Sequence, residues 1–263
     1  MTKPYFLYGS QAIKHWFSDF YRKPTDTDII CEDKSRFKGT DVKYAKCFDN
    51  LLNSEQHNIK NIASPNALYT IKVSHSFFPV HWEKTMRDIS FLQNKKCSLI
   101  RESYNELYEF WCEFHKAKSD KSRMNFNVPN EKFFKPTVDR KFQHDLLHKL
   151  IKFNNKPMYS LIKNDPKMAQ IDENLFNKLS TEQKRELILE EVYVIALERF
   201  LIPNSFNFSF KKAYLNSLKM NIINLNKGFI PLYIVENWNY FRHFDLEKFE
   251  KQIFKVQKLM RVW

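Results

Sequence analysis

Two aspartates one residue apart, Asp26 and Asp28, stand in the run Pro24-Thr25-Asp26-Thr27-Asp28-Ile29-Ile30. Side chains on a strand alternate faces, so the two carboxylates would point the same way. Neighbouring carboxylates repel each other unless a cation lies between them. Upstream, Tyr5-Phe6-Leu7-Tyr8-Gly9-Ser10-Gln11-Ala12 reads as a short apolar strand turning through Gly-Ser into a helix. A helix N-terminus offers free backbone N–H groups and favours phosphate. A divalent metal held by two carboxylates and facing such a terminus would serve nucleotide chemistry. The chain has only three glycines, Gly9, Gly39 and Gly228. One of them stands at this turn, where close approach of a phosphate to the backbone leaves no room for a side chain. Ser10 is also expected to cap a helix over 11–20.

These residues resemble the signature of the nucleotidyltransferase superfamily, which includes DNA polymerase beta, the CCA-adding enzymes and small bacterial nucleotidyltransferases. That signature is an apolar residue, Gly-Ser or Gly-Gly, a helical spacer, then acid-x-acid on a strand. Tyr8, Gly9, Ser10, Asp26 and Asp28 match it, with a spacer of 15 residues between Ser10 and Asp26 that is somewhat long for the type. The resemblance implies transfer of an NMP group from a nucleoside triphosphate to an acceptor: nucleic acid, protein or small molecule. Mg²⁺ or Mn²⁺ would be held by Asp26 and Asp28. The phosphates would be received by Gly9 and Ser10 with help from Lys84, and Lys72 would act beside the acids. Active members generally add a third carboxylate on a following strand. The strand expected at 67–75 carries Lys72 and His75 but no acid, while Asp41, Asp49 and Asp88 lie in adjoining segments. Three readings stay open: an acid from elsewhere, a one-metal site, or a fold kept for binding alone.

The elements that must position these groups follow from pattern. Strands are expected at 4–8, 26–31 and 67–75, the last because Leu68-Tyr69-Thr70-Ile71-Lys72-Val73 is rich in β-branched and aromatic residues. Helices are expected at 42–54, 83–95, 100–117, 138–153, 181–200, 208–225, 231–241 and 246–260. Ser180 followed by Gln183 suggests a capping box before the helix at 181. Lys84 and Asp88 are placed to pair one turn apart on their helix. The fold class is α+β: a small mixed sheet in an N-terminal core over 1–95, then a helical region over 96–263 with a basic loop at 118–136.

A second constellation is Gln143-His144-Asp145-Leu146-Leu147-His148. His144 and His148 would share a helix face at a spacing able to bind metal. The His144-Asp145 doublet resembles that of the HD phosphohydrolases, which need further His and Asp ligands on other helices; His75, His81 or His115 would supply only part of that set. A substrate-lining or purely structural role is the alternative.

Composition bounds the rest. The 263 residues can bury a proper core, and 43% hydrophobic content excludes wholesale disorder. Cys31, Cys47, Cys97 and Cys112 form no CxxC pair, which argues against a zinc ribbon and for reduced thiols in an intracellular protein. No signal peptide or membrane span is apparent, so the expected place is cytoplasm, or host cytoplasm if the AT-rich composition reflects a viral source. The formal charge of +13 suggests a polyanionic partner. Lys132 and Lys135 in one basic segment, and Lys211, Lys212 and Lys219 in another, are interleaved with phenylalanines. Cations for phosphates and rings for bases are the ingredients of RNA or DNA contact. A solvated basic face is the plainer reading. Three function classes therefore remain: a metal-dependent nucleotidyltransferase, a non-catalytic nucleic-acid- or polymerase-binding protein on the same core, and a phosphohydrolase.

Overall fold

The computed structural model describes residues 5–37, 40–54, 61–118, 173–196, 210–225, 228–244 and 251. The chain divides into two compact units, Met1–Met124 and Asn125–Trp263.

The first unit begins as expected. Strand β1 (Tyr5–Tyr8) runs directly into helix α1 (Gly9–Trp16). Strand β2 (Asp28–Cys31) pairs antiparallel with β1, setting Tyr8 opposite Asp28 and Phe6 opposite Ile30. A third strand, β3 (Asp41–Lys43), pairs parallel with β2 and sets Asp41 opposite Asp28. Sequence pattern gave residues 42–43 to a helix; that helix, α2, spans Lys46–Ser54. On the free edge of β1, Leu7 N–H donates to the Asn61 carbonyl at 2.8 Å and Ala63 N–H donates to the Leu7 carbonyl at 2.9 Å. The small sheet is thus mixed, with β2 at the centre of the three strands.

The expected strand at 67–75 is a helix, α3 (Pro65–His75). Its local signal precedes it. Ser64 caps it, the Ser64 hydroxyl accepting from Ala67 N–H at 3.1 Å, and Pro65 occupies the first turn, where a missing N–H costs nothing. The β-like composition misleads because the helix is enclosed on most sides. Ala67, Leu68, Tyr69, Thr70, Ile71, Val73 and Ser74 are all buried, so no polar stripe reveals the helical period. α3 packs against α1, against α4 (Trp82–Asn94) and against α5 (Arg101–Lys118). Its contact with α5 draws that helix into the first unit, beyond the boundary expected at 95. Burying Leu68, Ile71 and Val73 stabilises the unit by about 1.5–3 kcal/mol each.

The second unit is helical where described: α6 (Glu173–Lys178), α7 (Thr181–Ala196), α8 (Phe210–Leu225), α9 (Phe229–Glu236) and α10 (Trp238–Phe241). The expected capping box is present. Gln183 N–H donates to the Ser180 hydroxyl at 3.1 Å and Ser180 N–H donates to Gln183 Oε1 at 2.9 Å. α7 and α8 are tied by the buried Ser217 hydroxyl, which donates to the Val192 carbonyl at 3.0 Å. The expected helices at 138–153 and 246–260 and most of the loop at 118–136 lie outside the described residues. Among the described residues no helix is long and apolar enough to cross a membrane.

Ser64→Ala should remove the cap of the central helix and lower stability by about 1 kcal/mol. Thermal or urea denaturation measures this. An unchanged midpoint would mean that packing alone fixes the start of α3.

Candidate functional site

The backbone turn between β1 and α1 sets the geometry. Gly9 has φ +70°, a left-handed conformation that disfavours any side chain. A Cβ built there would lie 2.0 Å from Asp28 Oδ2. The Gly-Ser turn and the second aspartate of the pair are therefore in direct contact. The expected capping by Ser10 does not occur. α1 starts two residues earlier than expected, at Gly9, so Ser10 already lies inside the first turn, and no side chain caps the helix. The Ser10 hydroxyl is buried and has no hydrogen-bond partner. The first turn of α1 also holds no acidic residue.

Asp28 is half-buried and opens β2. Asp26 lies just before the strand and is exposed, so strand alternation does not set its direction, contrary to the sequence reading. Asp41 follows on β3 in register with Asp28. Tyr8, Asp28 and Asp41 thus occupy one cross-strand row of the sheet. The row supplies a third acid beside the pair, which the sequence reading sought on the segment 67–75. A three-residue strand, Asp41-Val42-Lys43, is too short to show alternation, and no local signal marks it.

The electrostatics agree with this crowding. The Asp28 carboxyl is raised above its usual range by burial and by the charges of Asp26 and Asp41, while Lys43 and Lys72 act in the opposite sense. The Tyr8 hydroxyl is pushed well up, first by burial and then by Asp28, Asp41 and Asp26. Lys43 is the neighbouring cation. It bridges to Asp41, and its ammonium lies 5.7 Å from the centre of the Tyr8 ring and 5.7 Å from that of Phe114. Among the described residues no three His, Cys, Asp or Glu side chains already form a cage for a metal ion.

Lys72 does not stand free for phosphate. Its ammonium pairs with Asp88 Oδ2 at 2.8 Å, and Asp88 is fully buried. Arg22 reaches the same carboxylate through Nη2 at 2.9 Å and Nε at 3.3 Å, and the Tyr21 hydroxyl donates to Oδ1 at 2.7 Å. Burial alone would raise the Asp88 carboxyl, but Lys72, Arg22 and Tyr21 outweigh it and hold it below the usual range. Asp88 therefore pairs across the fold and not with Lys84 on its own helix. Lys84 is half-buried, and nothing in the described geometry joins it to the carboxylate row. The node ties the segment between α1 and β2 to α3 and α4.

His75, one turn beyond Lys72 on α3, meets His115, another of the histidines weighed as further ligands for the second constellation. His75 Nε2 and His115 Nε2 of α5 are 3.0 Å apart, so one ring donates to the other. Trp111 stands edge-on to His75 at 4.7 Å and Phe78 stacks on His115 at 4.6 Å. Burial, then the positive charges of His115, Lys72, Lys43 and His81, hold the His75 imidazole well below its ordinary range. Of the second constellation, His144, Asp145 and His148 lie outside the described residues, as do Lys132 and Lys135. Lys211 and Lys212 are exposed in the first turn of α8, and Lys219 is half-buried two turns later, all in the second unit.

With this geometry in view, a family model covering more than half of the chain shows the family to which it belongs. The match is to the domain of unknown function DUF7275 and spans residues 67–255. It takes in Lys72, His75, Asp88 and His115 and leaves out the sheet with Gly9, Asp28 and Asp41. No curated protein and no solved structure matches the chain.

Two outcomes test this geometry. Gly9→Ala should destabilise the protein by at least about 1–2 kcal/mol from its backbone conformation alone, with the clash against Asp28 added. Asp28→Ala should relieve part of that loss, so the two changes should couple in a double-mutant cycle; strict additivity would contradict the contact. The second concerns pH. Because folding lowers the proton affinity of His75, the unfolded chain takes up that proton first. The stability involved is intact above the ordinary histidine value of about 6.5 and is lost as pH falls below it. The melting temperature should therefore drop between pH 7.5 and 5, and His75→Gln should flatten that drop.

Proposed function

We propose that this protein is a metal-dependent nucleotidyltransferase whose site is the turn Gly9-Ser10 together with Asp26, Asp28 and Asp41. The observation that carries the reading is the contact between Gly9 and Asp28: a missing side chain on a left-handed turn leaves room for the carboxylate at the head of a helix. The resemblance of these residues to the nucleotidyltransferase signature points the same way. Asp41 beside Asp28 adds a third acid, which favours the enzyme over a fold kept for binding alone.

The residues fit a divalent cation. Burial and the charges of Asp26 and Asp41 raise the proton affinity of Asp28, and positive charge placed beside it would favour its ionised form. Asp26 and Asp28 would hold Mg²⁺ or Mn²⁺, with Asp41 joining once released from Lys43. When bound, such an ion supplies charge neutralisation and in-line alignment for phosphoryl chemistry. The chain's own groups do the rest. The uncapped first turn of α1 and the Ser10 hydroxyl would donate to phosphate oxygens. Lys72, held by Asp88, would act as a positioning residue: it braces α3 and lends positive charge to Asp28. The acceptor could be a nucleic acid, with the lysines of α8 among its contacts, or a protein or small molecule.

The test is transfer of labelled nucleotide from each of the four NTPs with Mg²⁺ or Mn²⁺, with and without RNA, DNA or protein acceptors. Asp26→Asn and Asp28→Asn should each lower turnover by about 100-fold or more. Asp28→Asn should also leave the melting temperature at pH 7 unchanged or raised. Folding raises the proton affinity of Asp28, so its ionised form weakens the fold at neutral pH, and asparagine removes that charge. A lower melting temperature in both variants, with no transfer by the wild type, would leave a structural pair and favour the binding-protein reading.

A further inference from the structure

Tyr8 immediately precedes the Gly-Ser turn and occupies the same cross-strand row as Asp28 and Asp41. Its side chain is buried, and its hydroxyl has no hydrogen-bond partner. A buried hydroxyl without a partner is unfavourable, and phenylalanine would fill the same space without that cost. The ring is already well supported: Phe48 packs against it at 6.2 Å, and the Lys43 ammonium lies over it. Packing therefore accounts for the ring and not for its oxygen. Burial first, and then the charges of Asp28, Asp41 and Asp26, hold the phenol in its protonated form, so the oxygen is a donor at neutral pH. It nonetheless donates to none of them.

We infer that the Tyr8 hydroxyl is a substrate-contacting donor, reserved for a phosphate or ribose oxygen of a nucleoside triphosphate bound at the carboxylate row. The inference rests on the nucleotidyltransferase reading and names a residue that the signature requires only to be apolar. The hydroxyl is sealed from solvent, so a ligand reaches it when a neighbour moves. Lys43 is that neighbour. It is a long side chain only 11% exposed, and it is anchored to Asp41, which is 59% exposed. Charge introduced at the row would compete for Asp41, free Lys43 and uncover the ring beneath it. The Ser10 hydroxyl, buried and unpartnered two residues on, offers a second donor at the same turn.

The experiment compares wild type, Tyr8→Phe and Ser10→Ala in two measurements on the full chain. The first is the melting temperature without ligand. A reserved donor predicts that Tyr8→Phe is as stable as wild type or more so, because an unsatisfied polar group is removed. A lower melting temperature would make the hydroxyl structural and overturn the inference. The second is calorimetric titration with each of the four NTPs in the presence of Ca²⁺, which allows binding while slowing turnover. Tyr8→Phe should weaken binding by about 10- to 100-fold, the range for a hydrogen bond to a charged or strongly polar oxygen. Wild-type binding with unchanged affinity in Tyr8→Phe overturns the assignment of Tyr8 and leaves the nucleotidyltransferase reading standing. Absence of binding by wild type to all four nucleotides overturns the reading, and the assignment with it.

Discussion

A backbone with no side chain lies against a carboxylate, and much of the first unit is arranged around that contact. Gly9 can turn left-handed and admit Asp28 because it lacks a Cβ. The turn lets β1 pass straight into α1, and the antiparallel register then fixes Tyr8 opposite Asp28. Once β2 is placed, the parallel pairing of β3 sets Asp41 on its far side. Any larger residue at position 9 would push Asp28 out of the row or bend the strand away from the helix. The constraint is steric and local, yet it decides which acids become neighbours.

Charge is managed by separation. Two cations, Arg22 and Lys72, are assigned to one buried carboxylate, Asp88, whose third neighbour is the Tyr21 hydroxyl. Such a node is strongly destabilised when one partner is lost, because a buried charge is then left uncompensated. The acids of the sheet are in the opposite condition. Among the described residues, Asp26, Asp28 and Asp41 have one bridging cation, Lys43, and it touches Asp41. The fold therefore holds one satisfied ionic cluster, which fastens α3 and α4 to the segment after α1, and one under-neutralised cluster at the sheet. The two clusters are built on different acids, although Lys72 and Lys43 influence both Asp28 and His75.

The helix α3 shows why part of this was hidden in the sequence. Thr70-Ile71-Lys72-Val73 has the composition of a strand, and propensity is a weak prior that burial overrides. A helix enclosed by α1, α4 and α5 needs apolar residues around most of its circumference, so the pattern that identifies a surface helix is absent. The local clue was Ser64-Pro65, a cap followed by proline in the first turn. Read as a strand, 67–75 is where a third acid is expected, and it carries Lys72 and His75 instead. On the helix they lie one turn apart, Lys72 toward Asp88 and His75 toward His115.

The sequence by itself determined the features that depend on a few adjacent residues. These are the strand–glycine–helix start, the acid-x-acid run, the capping box at Ser180 and Gln183, and the small-sheet-then-helices class. Each is legible because backbone conformation and capping chemistry act over one to four residues. Tertiary structure alone decided the pairings across 13 to 66 positions: Asp28 with Asp41, Lys72 with Asp88, His75 with His115, Arg22 with Asp88. A chain's periodicity reports which side of an element is apolar, not which residue it will meet there. Those meetings were fixed by strand register and helix packing, which depend on the whole unit closing at once.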